Sequence, residues 1–466
     1  MVFSSLEFLF LFLPVVLAGY FILPRLARNG WLLISSLLFY AWGEPSFVFL
    51  MMASIAFNFT VALGLDPESV RNGRIRKALF VLGLSANVLF LGVYKYLNFI
   101  TAVLRDWFPF LRGAIPQTSI LLPIGISFFT FQAISYIVDV YRGTARVQRN
   151  PVRLALYIAL FPQLIAGPIV RYSTVCEQIA SRRESWRKFS YGVFRFVVGL
   201  NKKVLLANTM AEVADHAFGT VSPDAGLAWL GLIAFGLQMY FDFGGYSDMA
   251  IGLGQMFGFR FPENFRYPYI AGTISEFWRR WHISLTTWFR DYVYFPLGGS
   301  RVGKGRWIFN LALVWTLTGI WHGADWTFVF WGPVWFALLL VERLLKVEKR
   351  LASGTPLLRI AYRVFTILAI LLCPVLIRAD SMTVATRYFE ALFGAGPRFN
   401  GAETWFWFRE YWYAFLASLV GCLPLWKRYR MVWFRAFGIA AQLPLLVVSV
   451  MSLVARTHNP FIYFNF

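Results

Sequence analysis

The sequence predicts an all-α polytopic integral membrane protein. Of its 466 residues, 58% are hydrophobic and only 14% are charged, and the mean hydropathy is +0.59. Long apolar stretches alternate with short polar loops, and only helices and closed barrels satisfy every backbone polar group in lipid. We expect about ten to twelve membrane segments, some of them short, broken or re-entrant, arranged around a central buried histidine.

Positive charge is distributed in short runs between the apolar stretches. The formal net charge is +21, from 44 lysines and arginines against 23 aspartates and glutamates. Lys/Arg-rich short loops favour the cytoplasmic side of a membrane, whereas a nucleic-acid-binding protein would gather its basic residues on one soluble face. The pattern therefore indicates which loops lie on the cytoplasmic side and predicts no nucleic-acid partner. The runs are 71–77, 142–153, 182–188, 301–306, 343–350 and 427–430.

We expect one membrane domain over residues 1–466, because no gap between apolar segments is long enough for a soluble domain. Its functional core is expected at about 120–345, with scaffold helices at 1–119 and 346–466. Residues 1–23 lack a basic leader region and carry Glu7, which predicts a retained first span. The three cysteines have neither disulfide nor metal-ligand spacing, so no metal site is predicted.

Two segments of the expected core are predicted to be broken within the membrane. Pro123 and Gly125 interrupt the apolar run that begins at Ile120, and Gly167 and Pro168 end the apolar run from Leu160. Irregular backbone at membrane depth persists only when it is buried in protein or lines a cavity. We therefore expect these breaks to help enclose a pocket.

Two aspartates, Asp242 and Asp248, lie in an otherwise apolar stretch around Gly244 and Gly245. Intramembrane carboxylates can form a proton or ion pathway or a ligand site, or can pair with basic residues. We favour pairing with arginines, because an unpaired buried charge is costly.

A stripe of large apolar residues marks the segment 275–297. Its members recur every three or four positions, which predicts an amphipathic helix, while Glu276, Arg280 and Asp291 fall on another face. The stripe consists of Trp278, Trp281, Leu285, Trp288 and Tyr292.

The next apolar stretch predicts a membrane hairpin with His322 at its turn. Residues 307–341 are nearly uncharged, and basic loops bound them on both sides, so both ends are expected in the cytoplasm. Fifteen helical residues from Trp307 rise about 22 Å in a hydrocarbon core of roughly 30 Å, which places His322 deep and nearer the outer side. An ionisable residue at that depth is a candidate functional residue. A hydrogen-bonded histidine closing the turn is the alternative.

Several blocks of the sequence resemble the membrane-bound O-acyltransferase family, in particular its bacterial branch of alginate O-acetylation and teichoic-acid D-alanylation membrane proteins. The resemblance covers nearly the whole chain. Of the blocks that carry it, 238–285 and 319–323 are the most specific. The four blocks are 1–5, 123–128, the run from 238 through 285, and 319–323, and the closing residues 459–464 are similar to the alginate-acetylation branch.

The resemblance implies acyl transfer from a cytoplasmic donor to an acceptor outside. We expect O-acetylation of an exported, alginate-like polysaccharide by a multi-pass protein of the cell inner membrane. Acetyl-CoA or a similar acyl donor would be a substrate, and no bound cofactor is implied. Periplasmic acetyltransferase or carrier proteins are the expected protein partners.

Two histidines match the family's positions. His322 matches the essential histidine, and His282 matches a second, more variable one. A neutral imidazole can take a proton from an attacking hydroxyl and return it to a thiolate leaving group. His282 can act in catalysis, line the donor tunnel, position the substrate, or only form a hydrogen bond.

The residues near the two histidines are candidates for binding the substrates. The arginines can grip donor phosphates or anchor the segment to anionic headgroups, and the latter is the simpler interpretation. Asp325 can orient His322. The candidates are Arg279, Arg280, Trp281, Arg290, Asp242, Asp248, Trp321 and Asp325.

Two other functions stay open on the sequence alone. A transporter or flippase is suggested by Asp242, Asp248 and the broken segments, but the inverted repeats that would support it are not found. A non-catalytic scaffold of a polysaccharide secretion complex is the other. The acceptor can be alginate, cellulose, another exopolysaccharide or peptidoglycan, reached directly or through a serine of a partner.

Overall fold

The computed structural model describes residues 1–165, 167–397, 401–424 and 432–455, with the backbone alone for 432–437. These residues form helices joined by turns and loops, with no β-strand among them, which confirms the predicted all-helical class. The basic run at 427–430 and the closing block at 459–464 lie outside the described residues.

The helices are numbered in chain order over the described residues. They are α1 Leu13–Ile22, α2 Arg28–Gly43, α3 Phe47–Leu65, α4 Gly73–Leu91, α5 Leu97–Trp107, α6 Ile126–Tyr141, α7 Pro151–Ala159, α8 Phe161–Leu164, α9 Tyr172–Ser181, α10 Trp186–Asn201, α11 Asn208–Gly219, α12 Ala225–Met256, α13 Ile274–Arg280, α14 Ile283–Phe289, α15 Lys304–His322, α16 Trp326–Leu344, α17 Val347–Ser353, α18 Pro356–Leu372, α19 Val375–Arg378, α20 Met382–Leu392, α21 Ala402–Gly421 and α22 Val432–Ala455. Short π-helical segments lie at Phe8–Phe12, Gly92–Tyr96, Lys202–Ala207 and Arg290–Tyr294.

Six helical segments of the described residues are long and apolar enough to cross a bilayer. Two shorter apolar helices, Phe8–Ile22 and Ile126–Tyr141, accompany them. The expected count of about ten to twelve segments stays a prediction, because several of the remaining helices are shorter than a bilayer requires. The six are Phe47–Leu65, Gly73–Trp107, Ala225–Met256, Trp326–Leu344, Pro356–Arg378 and Gly438–Ala455.

The chain divides into two compact units, and the prediction of one membrane domain stays a prediction. The first unit comprises Met1–Phe196 and Met249–Pro262, and the second comprises Val197–Asp248 and Glu263–Phe466. Both expected breaks belong to the first unit. Gly125 has a φ of 76° and precedes α6, and a Cβ there would lie 2.9 Å from the carbonyl oxygen of Leu164. The two interrupted segments therefore pack against each other at a position that only glycine fits.

In the second unit, α15 and α16 form an antiparallel hairpin with a close backbone approach. A Cβ on Gly319 would lie 2.5 Å from the carbonyl oxygen of Phe328, and a Cβ on Gly332 would lie 2.3 Å from that of Trp315. Small residues at such a contact let two helix backbones meet, which is a common way to join helices in membranes. The helical hairpin is present as predicted, with α16 among the candidate membrane spans, and the depth of His322 in the bilayer stays a prediction.

Candidate active site

His322 is the last residue of α15 and lies at the turn of the hairpin, as predicted. The turn is fixed from the other side by Asp325, whose carboxylate accepts a hydrogen bond from the backbone N–H of Thr327 at 2.9 Å. Asp325 is thus the N-cap of α16, and its contribution to the site is to start this helix beside the histidine.

The segment that carries His282 is not one continuous helix, so the prediction for 275–297 is wrong in this respect. α13 ends at Arg280, His282 has the left-handed backbone angles φ 43° and ψ 50°, and α14 begins at the next residue. Backbone hydrogen bonds from Arg266 N–H to the Arg280 carbonyl and from Ile283 N–H to the Asn264 carbonyl, each 2.9 Å, take the place of helical ones. The apolar stripe itself is confirmed, since its first four residues are buried and only Tyr292 is partly exposed.

A buried amide orients the ring of His282. Nδ1 of His282 lies 3.2 Å from Oδ1 of Asn264, and the same oxygen accepts hydrogen bonds from the Ser284 hydroxyl at 2.8 Å and backbone N–H at 3.2 Å. The Asn264 amide N–H in turn donates to the Ser247 hydroxyl at 3.1 Å. Because an amide oxygen can only accept, Nδ1 of His282 carries the proton and Nε2 has the free lone pair.

Nε2 of His282 has no hydrogen-bond partner among the described residues. The ring packs against Phe243, with ring centroids 4.7 Å apart, in a side chain that is 1% exposed. His282 lies outside the candidate membrane spans. Burial, reinforced by the neighbouring His322, lowers the pKa of His282 well below its ordinary value of 6.5. The imidazole is therefore neutral at neutral pH and is able to accept a proton at Nε2.

The two histidine rings are neighbours in space although 40 residues separate them in sequence. Their centroids are 6.4 Å apart, and both rings pack against Trp321, at 5.9 Å from His282 and 4.9 Å from His322. Trp331 lies on another side of His322, at 5.0 Å. The structure thus brings together three of the predicted site residues, His282, His322 and Trp321.

A small cavity of about 40 Å³ contains both histidines in its wall. Its remaining wall is almost wholly aromatic and aliphatic. The lining residues are Met239, Phe243, Phe277, Trp278, Trp281, His282, His322, Trp331, Trp335, Ile370, Pro374 and Ile377.

A much larger cavity of about 780 Å³ also has Trp278 in its lining. The two cavities therefore adjoin at this indole. Apolar side chains and threonines line part of the large cavity, and its charged lining residues are mostly basic. The charged ones are Arg279, Arg290, Glu342, Arg343, Lys346, Glu348 and Lys349.

The three predicted arginines differ in their positions. Arg279 and Arg290 line the large cavity, and each has an acidic neighbour within the same unit, Glu348 at 2.6 Å and Asp291 at 2.8 Å. Arg280 lines neither cavity, since its guanidinium bridges Glu276 and a backbone carbonyl. The geometry therefore separates Arg280 from the other two.

Each of the two aspartates pairs with a lysine, whereas arginines were the partners that we favoured from the sequence. Asp242 lies 2.9 Å from Lys203, with both side chains almost fully buried, and Asp248 lies 2.8 Å from Lys202. Lys202 and Lys203 open the π-helical segment after α10, and the sequence pattern around the aspartates does not reveal them. Neither aspartate lines either cavity.

Comparison with known proteins assigns the family. The model of the membrane-bound O-acyltransferase family, MBOAT, matches residues 145–379. The chain is also 40% identical to a probable alginate O-acetylase AlgI of Pseudomonas putida over the full length of both proteins. The chain belongs to the MBOAT family. It is therefore an acyltransferase and a multi-pass membrane protein, as predicted.

More distant MBOAT relatives carry out related chemistry. The chain is 38% identical to a peptidoglycan O-acetyltransferase of Helicobacter pylori, over 74% of this chain and 70% of that protein. It is 31% identical to a teichoic acid D-alanyltransferase of Bacillus subtilis, over 47% of this chain and 58% of that protein. All the residues that line the two cavities fall within the MBOAT match at 145–379.

Two residues of the site were not identified from the sequence. Asn264 orients His282, and the sequence feature that could have indicated it is a single amide side chain in the loop after α12. Glu342 is buried, and its carboxylate accepts hydrogen bonds from the backbone N–H groups of Ile274 at 2.8 Å and Ser275 at 2.9 Å. Glu342 thus fixes the start of α13, the helix that contributes Trp278 to the lining of both cavities. The sequence predicts only a loop boundary at Glu342, because this residue follows an apolar stretch and precedes the basic run at 343–350.

Proposed function

We propose that this MBOAT protein moves an acetyl group from a cytoplasmic acyl donor to the outer side of the membrane for O-acetylation of an exported, alginate-like polysaccharide. The observation that carries the proposal is the pair of imidazoles, 6.4 Å apart, in an apolar cavity that shares one wall with a large basic cavity. The names of the relatives supply the acceptor class: alginate for one and peptidoglycan for another.

The large cavity is the proposed site of the donor. Acetyl-CoA carries several phosphate charges on a long, narrow body, and guanidinium and ammonium groups bind phosphate oxygens strongly. Arg279, Arg290, Lys346 and Lys349 supply these groups among the lining residues. The thioester end would then reach Trp278 and the histidine cavity behind it.

The histidines perform the proton transfers of the proposed reaction. His322 takes the proton of the attacking hydroxyl as its oxygen bonds to the acyl carbon. The carbon–sulfur bond then breaks, and the imidazolium returns the proton to the departing thiolate, so that a thiol leaves and the imidazole is neutral again. His282, whose Nε2 is an acceptor in the same cavity, positions the hydroxyl or shares the proton.

We infer the acceptor side from the predicted topology. Basic loops on both sides of the α15–α16 hairpin favour a cytoplasmic location of its ends, and the turn with His322 would then be directed outward. The proposed location is the cell inner membrane, where periplasmic acetyltransferase or carrier proteins receive the acetyl group and pass it to the polymer.

The experiment replaces single histidines in the purified protein and measures release of free thiol from acetyl-CoA, with no ion gradient present, and acetylation of the exported polymer in cells. His322→Ala should abolish both activities, and His282→Ala should lower both to a smaller extent. His216→Ala is the matched control, because this histidine is half-exposed and pairs with Glu403 at 2.8 Å. Wild-type acetylation by folded His322→Ala protein would refute the mechanism.

The arginines are tested separately. Arg279→Gln and Arg290→Gln should raise the KM for acetyl-CoA, whereas Arg280→Gln should not, because only the first two line the large cavity. Equal effects of the three substitutions, accompanied by weaker membrane association, would favour the alternative in which they anchor the segment to lipid headgroups.

A further inference from the structure

We propose that Trp278, Trp331 and Trp335 limit the transferred acyl group to about two carbons. This inference rests on the proposed acyl transfer and adds its chain-length specificity. The small cavity contains the two histidines, and its wall includes these three indoles, each at most 6% exposed. In the proposed reaction the acyl carbon is attacked beside the histidines, so this cavity would receive the acyl chain.

The volume of the cavity sets the limit. About 10–15 Å³ of such space is needed for one water-sized group, so the cavity of about 40 Å³ has room for roughly three. An acetyl group has three non-hydrogen atoms: a methyl carbon, a carbonyl carbon and an oxygen. A propionyl group adds one methylene, and its four non-hydrogen atoms need about 40–60 Å³, which fills or exceeds the cavity.

The wall is braced against widening. Trp278 packs edge to face on Trp335, with centroids 5.1 Å apart, and on Trp315, at 4.6 Å. Trp331 packs on Trp335 at 6.1 Å, and Phe277 stacks on Trp335 at 5.8 Å. Because interlocked aromatic side chains can move only together, a longer chain would have to displace several of them at once.

The same tryptophans favour an occupant that carries a carbonyl oxygen. The indole N–H groups of Trp278, Trp331 and Trp335 are buried and have no acceptor among the described residues. A buried donor without a partner is costly, and an acyl carbonyl oxygen is an acceptor of suitable size. An alkyl chain or a cation would leave these donors unsatisfied.

The first test uses the wild-type protein and a series of acetyl-, propionyl- and butyryl-CoA. We expect kcat/KM to fall about 10- to 200-fold for the first added methylene, which is the discrimination that one methylene gives in a tight apolar pocket. Equal kcat/KM for acetyl- and butyryl-CoA would overturn the proposal without any variant.

The second test widens the cavity. Trp331→Leu and Trp335→Leu should each raise the ratio of kcat/KM for propionyl-CoA to that for acetyl-CoA. The expected rise is about the factor by which kcat/KM of the wild type falls between these two donors. Phe289→Leu is the matched control, because this buried aromatic residue lines the large cavity only. It should change kcat/KM for all donors in parallel and leave their ratio as in the wild type.

The outcomes separate the two proposals. If the wild type transfers no acyl group from any CoA donor, the proposed function fails before chain length is tested. If it transfers acetyl but both leucine variants keep the wild-type ratio, the acyl transfer stands and the length limit fails. Folding of each variant is checked by its elution as a single species and by its activity with acetyl-CoA.

Discussion

The hydrogen bond between Asn264 and His282 gives a sharp prediction for Asn264→Leu. Leucine has nearly the shape of asparagine but cannot accept the Nδ1 proton of His282 or the two hydrogen bonds from Ser284. The imidazole then loses the contact that fixes its tautomer, and Nε2 is no longer held as the acceptor.

The size of the effect follows from two contributions. Loss of a correctly protonated general base costs about 10²- to 10⁴-fold in rate, so kcat should fall within this range if His282 handles a proton, while KM for acetyl-CoA stays near its wild-type value. The buried donors left without an acceptor cost roughly 1–3 kcal/mol of stability each. Asn264→Asp keeps the acceptor and should restore part of kcat.

The assay is thiol release from acetyl-CoA by the purified variants, normalised to the folded fraction from a thermal unfolding curve. Asn310→Leu is the matched control, since Asn310 is also buried and donates to the carbonyls of Leu297 and Gly299 at 3.1 Å, outside both cavities. The reasoning is refuted if, per folded molecule, Asn264→Leu has no lower kcat than Asn310→Leu.

Three further predictions concern the hairpin, the buried ion pair and pH. Gly332→Val should prevent accumulation of folded protein, because even a Cβ would lie 2.3 Å from the carbonyl oxygen of Trp315. The measurement is the height of the monodisperse peak in size-exclusion chromatography of the detergent-solubilised protein. Lys203→Met should destabilise the protein by about 3–5 kcal/mol, because it removes the ion-pair partner of the buried Asp242 carboxylate. Adding Asp242→Leu should restore most of the lost stability, as measured by thermal unfolding. Because burial holds the pKa of His282 below 6.5 and the neutral ring is the active form, the part of kcat/KM that depends on His282 should persist below pH 6.5 and be lost only on further acidification.

The hairpin and the apolar stripe could be predicted because each depends on a local pattern, of charge for the hairpin and of apolar periodicity for the stripe. A nearly uncharged stretch bounded by basic loops defines two helices, and the polar residues at its centre, His322 and Asp325, define the turn. The same reasoning placed Trp278 and Trp281 on a buried face. In each case the relevant information lies in one continuous stretch, 301–350 for the hairpin and 275–297 for the stripe.

The partners of the buried charges and the shape of the site could not be predicted in this way. Lys203 approaches Asp242 from a helix almost 40 residues earlier in the chain, and Asn264 approaches His282 from a loop 18 residues earlier. Which basic or amide side chain fills such a position depends on tertiary packing, which periodicity along one segment does not contain. The two cavities likewise arise only when α13, α15 and α16 are assembled.

The backbone break at His282 explains how two consecutive residues contribute to one cavity. In a continuous helix, successive side chains diverge by about 100°, so a Trp281 on the buried stripe would direct residue 282 away from it. The left-handed conformation at φ 43° instead lets Trp281 and His282 both line the histidine cavity. Such a conformation costs about 1–3 kcal/mol in a residue other than glycine. Two hydrogen bonds that Asn264 accepts offset this cost, one from Nδ1 of His282 at its side-chain oxygen and one from the Ile283 N–H at its backbone carbonyl. Removing those bonds should therefore impair catalysis and the local fold together, whereas removing the His282 ring alone should impair only catalysis.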